Sequence, residues 1–113
     1  MLKPNTGFSS FESLDVRVGT VMSAVEAKTK KPTYRMTIDF GEEIGQKTSC
    51  GAYTNYTPAE LVGRQVVAIV NFGAKKMGPE LSEVLVLGVR DPENAGTIFL
   101  TTQESVPNGS EIF

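Results

Sequence analysis

Histidine is absent from the 113 residues, and cysteine occurs once, at Cys50. Without imidazole the chain lacks the side chain that ordinarily titrates near neutral pH and the commonest metal ligand. One thiol and no histidine assemble neither a zinc site nor a Ser-His or Cys-His nucleophile pair within one chain. A single cysteine also forms no internal disulfide. The 13 carboxylates show no spacing that singles out a catalytic pair and read as solvated surface charge. The assignment is therefore of no catalytic residue, no metal and no cofactor. No apolar run approaches the ~20 residues that span a bilayer, and Met1–Thr6 carries no stretch of the signal-sequence kind. A reducing, cytoplasmic location without a membrane partner is the expectation.

What is present is ordinary globular composition, with 40% hydrophobic and 21% charged residues, enough for one domain over residues 1–113. The net charge of −2 is unevenly placed. Met1–Pro79 holds ten basic and seven acidic residues, a balance of +3, whereas Glu80–Phe113 holds one basic and six acidic, a balance of −5. Two stretches are purely basic: Lys28–Arg35, with Lys28, Lys30, Lys31 and Arg35, and Arg64–Pro79, with Arg64, Lys75 and Lys76. Because salt screens charge beyond about 8 Å, a phosphate senses such a patch more than the distant total. Solubilising loop lysines are the competing explanation.

Periodicity gives the elements. Ser9-Ser10-Phe11-Glu12 reads as a capping box opening a short helical turn. Val16 to Ala24 alternates as a strand, with Gly19 marking a bend or bulge. Glu26–Thr33 is a polar, lysine-rich loop; Tyr34, Met36, Ile38 and Phe40 alternate with polar partners as a half-buried strand, and Gln46–Cys50 is a weaker one. Thr57-Pro58-Ala59-Glu60-Leu61-Val62-Gly63 combines an N-cap, a proline at the first helical position, a capping-box glutamate and a C-terminal glycine, which predicts one short helix. Gln65–Phe72 and Glu83–Val89 are apolar strands separated by the loop Gly73–Ser82. Thr97–Leu100 is a short strand.

Three strands, a short helix, two strands and a β tail fit an all-β, five-stranded OB-fold Greek-key barrel, with its helix between strands three and four. An SH3-like barrel has no natural place for the Thr57–Gly63 helix. In OB-folds the loops joining strands one–two and four–five commonly contact oligonucleotides. Here those loops are Glu26–Thr33 and Gly73–Ser82, and both lie in the basic stretches.

Asp15-Val16-Arg17-Val18-Gly19-Thr20-Val21 resembles the opening strand of the tRNA-binding-domain family, whose members are appended to some methionyl-tRNA synthetases or stand alone as dimers. Tyr56–Phe72, Lys75, Lys76, Gly78 and Ser82–Leu87 continue the resemblance, which spans roughly residues 11 to 112. Ile38-Asp39-Phe40-Gly41 with Glu43-Ile44-Gly45, Val70-Asn71-Phe72 and Val106-Pro107-Asn108-Gly109 are similar to the CsaA-type branch. The resemblance implies a non-enzymatic homodimer that binds tRNA by structure rather than base sequence. For the CsaA type it also implies a chaperone of unfolded preproteins bound for the export machinery. It makes residues 1–14 and 101–113 dimerisation extensions, with Phe8, Phe11, Ile112 and Phe113 as interface candidates or, equally, as caps on the barrel ends. The chain departs from the family pattern at Ala27–Pro32, which lacks a histidine. Gly73-Ala74 replaces a proline pair and should loosen that loop, and Tyr53 is bulkier than the pattern suggests.

For RNA, Lys28, Lys30, Lys31, Arg35, Lys47, Lys75 and Lys76 are the expected phosphate contacts, with Ser49, Asn71 and Ser82 adding hydrogen bonds to sugar or phosphate. Tyr34 or Tyr53 either stacks on an unpaired base or packs internally. Arg17 is expected to be structural, pairing with a carboxylate such as Asp15 or Asp39. For a polypeptide ligand, Phe72, Met77 and Leu81 are the candidates, because flexible methionine suits varied partners; the alternative is that Met77 and Leu81 fold back onto the barrel.

Overall fold

In the computed structural model, which describes residues 1–113, the expected alternations become strands and the Thr57 signal becomes a helix. The elements run α1 (Ser9–Glu12), β1 (Val16–Glu26), β2 (Tyr34–Asp39), β3 (Gln46–Gly51), α2 (Pro58–Leu61), β4 (Gln65–Ile69), β5 (Lys75–Met77), β6 (Glu80–Ser82), β7 (Leu85–Val86), β8 (Gly88–Asp91) and β9 (Gly96–Phe99). The main sheet is antiparallel in the order β3-β2-β1-β4-β7. It curls until β3 meets the segment before β7. There the Glu83 and Val84 amides both donate to the Thr48 carbonyl, at 2.8 and 3.2 Å. The result is the nearly closed OB-type barrel that the element order predicted.

Closure depends on how β1 bends. Its register against β2 slips between Val21 and Ser23, so Met22 is the extra residue of a bulge. The bend was expected at Gly19, but that glycine has a different task. A Cβ there would stand 2.7 Å from both Ile38 and Phe40, so its bare backbone admits the Phe40 ring into the core. Around that ring, Val21, Met36, Ile38, Leu61, Val66, Ala68 and Val86 form the barrel interior.

The capping box at α2 forms as read. Thr57 accepts from the Glu60 amide, Glu60 accepts from the Thr57 amide at 2.8 Å, and Gly63 adopts φ +89° to end the turn. These bonds hold the Glu60 carboxyl below the usual carboxylate range. The Gly63 amide then donates to the Val21 carbonyl at 2.8 Å, and the Val21 amide to Arg64 O at 2.9 Å, which seats Leu61 as the plug at the bulge. The Ser9 capping box does not form. Phe8 already has helical angles and serves as N-cap, so Ser9 sits one position inside the helix, where its side chain no longer faces the free amides.

Two further expectations change. The apolar run Glu83–Val89 divides at Leu87, whose amide donates to Val67 O, into β7 and the start of a β8–β9 hairpin. The Gly73–Ser82 loop is itself a hairpin, β5–β6, pairing Lys75 with Ser82, Lys76 with Leu81 and Met77 with Glu80.

The chain ends meet on the first half of β1. There β2 no longer pairs with it, and the tail takes the vacated edge: the Val18 amide donates to Ser110 O, Gly109 to Val18 O and Ile112 to Val16 O, at 2.7–2.9 Å. Ile112 and Val106 thereby cover a second apolar cluster of Val16, Val18, Val67 and Ile69. An open strand edge is capped by the molecule's own terminus.

Candidate nucleic-acid interface

The two basic loops come together. The first, between β1 and β2, closes on itself through the Ala27 amide donating to Thr33 O at 2.9 Å. Inside it, Thr29 Oγ1 donates to Lys31 O at 2.6 Å. The second is the β5–β6 hairpin, which turns at Gly78-Pro79. Between them lies a cleft of about 890 Å³. Lys28, Lys30 and Lys31 rim one side, Met77 and Pro79 the other, and Cys50-Gly51-Ala52 at the end of β3 form the floor. A second cleft of about 450 Å³ lies on the other side of the first loop, toward Tyr34 and Thr54, and shares Lys30 and Lys31.

The charges here are unevenly matched. The ammonium groups of Lys28, Lys30, Lys31, Lys75 and Lys76 have no carboxylate within 4.0 Å. Lys75 and Lys76 are exposed on β5, outside the cleft lining. Arg35 is different. Its Nη1 donates to both oxygens of Glu80, at 2.8 and 3.1 Å, so the positive charge expected for phosphate is already answered. Lys47 Nζ lies 3.9 Å from a Glu83 carboxylate oxygen, a looser version of the same neutralisation.

The three polar candidates have internal partners or positions. Ser49 is 2% exposed, on the inward face of β3. Ser82 Oγ accepts from the Cys50 amide at 3.0 Å and donates to Val84 O at 3.2 Å, fastening β6 to β3. Asn71 lies away from the cleft: its side chain accepts from the Asp15 amide at 2.8 Å and donates to Ser13 O at 2.9 Å, pinning the N-terminal segment. As placed, none of the three offers a free group to the lysine-rimmed cleft.

Both tyrosines pack internally. Tyr34 donates to Tyr56 O at 2.8 Å and Tyr53 to Val86 O at 3.1 Å, with 8% and 3% of each residue exposed. Tyr53 fits despite its size because Gly51 and Gly88 leave room: a Cβ at either would fall within 2.8 Å of the Tyr53 side chain. Burial pushes its hydroxyl up to about 12. The floor thiol of Cys50 is also raised, by burial first and then by Glu80, which keeps it in the unreactive protonated form.

Of the apolar candidates, Met77 lines the cleft, while Leu81 and Phe72 are exposed elsewhere. At the opposite end of β1, Arg17 donates to Asp15 at 2.6 Å and to Glu43 and Gly109 O at 3.1 Å, and lies 3.5 Å from Glu111. Asp39 is not among these partners; its carboxylate accepts from the Gly41 amide instead. The Asp15 hydrogen bond raises the guanidinium pKa further, against a smaller opposing effect of burial. Beside this network, Phe8, Phe11 and Phe113 flank a cleft of about 500 Å³, with the Phe8 and Phe11 rings 6.1 Å apart. No helix is long and apolar enough to cross a membrane.

Glu80 is the residue that sequence reasoning missed. It is 4% exposed and ties three segments together. The one available signal was its position as the first acid after the all-basic stretch Arg64–Pro79.

Residues 16–111 match the family model described as "Putative tRNA binding domain". Among solved structures, the chain is similar to the chaperone CsaA of Bacillus anthracis str. Ames, with 42% identity and a TM-score of 0.90, covering 97% of this chain and all of that one. It is also similar to a CsaA chaperone protein of Picrophilus torridus, with 34% identity and a TM-score of 0.90, covering 96% of this chain and all of that one. It is 32% identical over 111 residues to the methionine–tRNA ligase of Archaeoglobus fulgidus; this covers 97% of the present chain but 16% of the ligase. The chain thus spans about one-sixth of such ligases.

Proposed function

We propose that this chain, which belongs to the tRNA-binding domain family, is a non-enzymatic cytoplasmic protein that binds tRNA by shape and charge through its two-loop cleft. One observation carries the reading: Lys28, Lys30, Lys31, Lys75 and Lys76 lie on two loops that touch, and none of their ammonium groups has a carboxylate oxygen within 4.0 Å. Such a surface meets phosphates without reading bases. Internally packed Tyr34 and Tyr53 leave no stacking platform of their own, which fits binding governed by the RNA backbone. Arg35, Lys47, Ser49 and Ser82 then support the fold around the site, Asn71 pins the N-terminal segment away from it, and the five lysines of the two loops make the contacts. Binding is expected to weaken steeply with salt, by a log–log slope of about −0.7 to −0.9 per phosphate contact. A salt-titrated tRNA assay tests this. Full-strength binding by a Lys75→Glu, Lys76→Glu double variant would remove the hairpin from the site.

A second reading draws on the two CsaA chaperone structures. On that reading the ligand is an unfolded, export-bound preprotein held by Met77, Leu81 and Phe72. Preprotein binding that survives high salt while tRNA binding vanishes would favour it. Under either reading we propose a homodimer through the terminal extensions, because Phe8 and Phe113 are fully or largely exposed beside one cleft. Ile112 already packs inside the protomer and would contribute less. A solution mass of one protomer would exclude the dimer.

A further inference from the structure

We infer that Glu80 is a positioning residue that clips the Ala27–Thr33 loop to the β5–β6 hairpin and so sets the width of the lysine-rimmed cleft. Glu80 Oε2 accepts the Lys28 amide at 3.0 Å, and both its oxygens accept from Arg35 Nη1 on β2. One carboxylate thus joins β6, the first loop and β2. A carboxylate that cancels the Arg35 charge beneath a phosphate-binding surface should weaken it, so its burial there calls for a gain elsewhere. Geometry supplies the gain. Lys28 is the first lysine of the loop, and no other hydrogen bond or ion pair from the loop segment Lys28–Lys31 reaches the hairpin. The bonds from the Lys28 amide and Arg35 hold the Glu80 carboxyl below the usual carboxylate range, so the clip is charged at neutral pH.

This rests on the proposed RNA-binding role of the cleft, and two substitutions separate charge from geometry. Glu80→Gln and Glu80→Ala change the net charge identically. Glutamine keeps an oxygen to accept the Lys28 amide while freeing Arg35; alanine loses both bonds. With bulk tRNA as the probe, Glu80→Gln is expected to bind at least as tightly as the native chain, with a salt slope steeper by about one contact. Glu80→Ala should bind about tenfold more weakly than Glu80→Gln, because the loop must then be ordered on binding. Equal affinity of the two variants would overturn the clip. A second measurement needs no variant: in the native chain the Lys28 amide should exchange with solvent more slowly than those of Thr29 and Lys30. Exchange at the same rate would show that the clip is not held in solution. Failure of the native chain to bind tRNA would overturn the functional reading and any part of Glu80 in it, while the Lys28 amide would still report separately on the clip.

Discussion

The two ends of β1 treat positive charge in opposite ways. At its start, Arg17 is surrounded by Asp15, Glu43 and Glu111 and fastens the C-terminal tail through Gly109 O. Beyond its far end, the loop that follows Glu26 carries three lysines whose ammonium groups have no carboxylate within 4.0 Å, and the adjoining hairpin carries two more. The residue types follow the division. Three of the four arginines are engaged: Arg17 and Arg35 with carboxylates, and Arg64 over the Phe99 ring at 5.1 Å. A planar guanidinium suits fixed, multidentate contacts, whereas a flexible ammonium on a loop stays hydrated and available. An overall charge of −2 therefore misdescribes what a phosphate meets at this end of the barrel.

The sharpest way to break this comparison is to reverse charge at the free end. Lys30→Glu with Lys31→Glu should weaken tRNA binding by about 1,000-fold at low salt, since each reversal replaces an attraction of about 1 kcal/mol by a repulsion of similar size, about 4 kcal/mol for the pair. Melting temperature should hardly move, because neither side chain has a folded-state ion pair. A reversal at Arg90, on the β8–β9 hairpin, should leave affinity within about twofold of native if position rather than total charge decides. An Arg90 loss as large per charge as that of the lysine pair would show that only net charge matters.

Arg17→Met asks the reverse question. Stability should fall by about 2 kcal/mol, from lost hydrogen bonds to charged groups, while tRNA affinity stays unchanged. Denaturant midpoints and the binding assay, read together, check it. The sequence foretold this residue's structural nature and offered Asp15 or Asp39 as its partner; Asp15, its neighbour on one segment, is the one it meets. It also foretold the barrel, the α2 cap and the meeting of the two basic loops, all of which follow from periodicity, local capping chemistry and element order. What escaped was pairing across distance. Arg35 and Glu80 are 45 positions apart, and Ser82 finds the Cys50 amide only because the hairpin folds over β3. Nothing local marks such partners, since they depend on the register of strands that share no turn. The start of α1 escaped for a smaller reason: Phe8 took helical angles one residue ahead of the serine that could have capped it.

Tyr53→Phe sharpens the contrast between the charged surface and the barrel interior. Loss of the hydrogen bond to Val86 O should cost about 1 kcal/mol of stability, and tRNA affinity should stay native because the ring lies within the core. The variant should also alter the alkaline limb. The folded state raises the Tyr53 hydroxyl from 10 to about 12, so its neutral form is favoured by folding. The associated stability is complete below pH 10 and is lost as pH rises toward about 12. Chemical denaturation across that window should show a steeper decline in the native chain than in Tyr53→Phe. A fall in tRNA affinity with stability intact would instead mean that the Tyr53 hydroxyl leaves Val86 O to bond the RNA.

The smallest effect is expected at Lys47, and it is informative because this lysine sits between the two regimes. It is on β3, the strand whose far end floors the cleft, yet its ammonium lies 3.9 Å from Glu83. Glu83 is itself held by the Thr48 amide and hydroxyl, both at 3.1 Å, so it cannot swing away to let an incoming phosphate replace it. Lys47→Ala removes a cation whose field is already answered and should lower tRNA affinity by no more than about twofold, since exposed pairs contribute about 0–1 kcal/mol. Glu83→Gln keeps an acceptor for Thr48 and unmasks Lys47, so affinity should rise and the salt slope steepen. A loss at Lys47→Ala as large as that of Lys31→Ala would mean that pairing does not silence a lysine here.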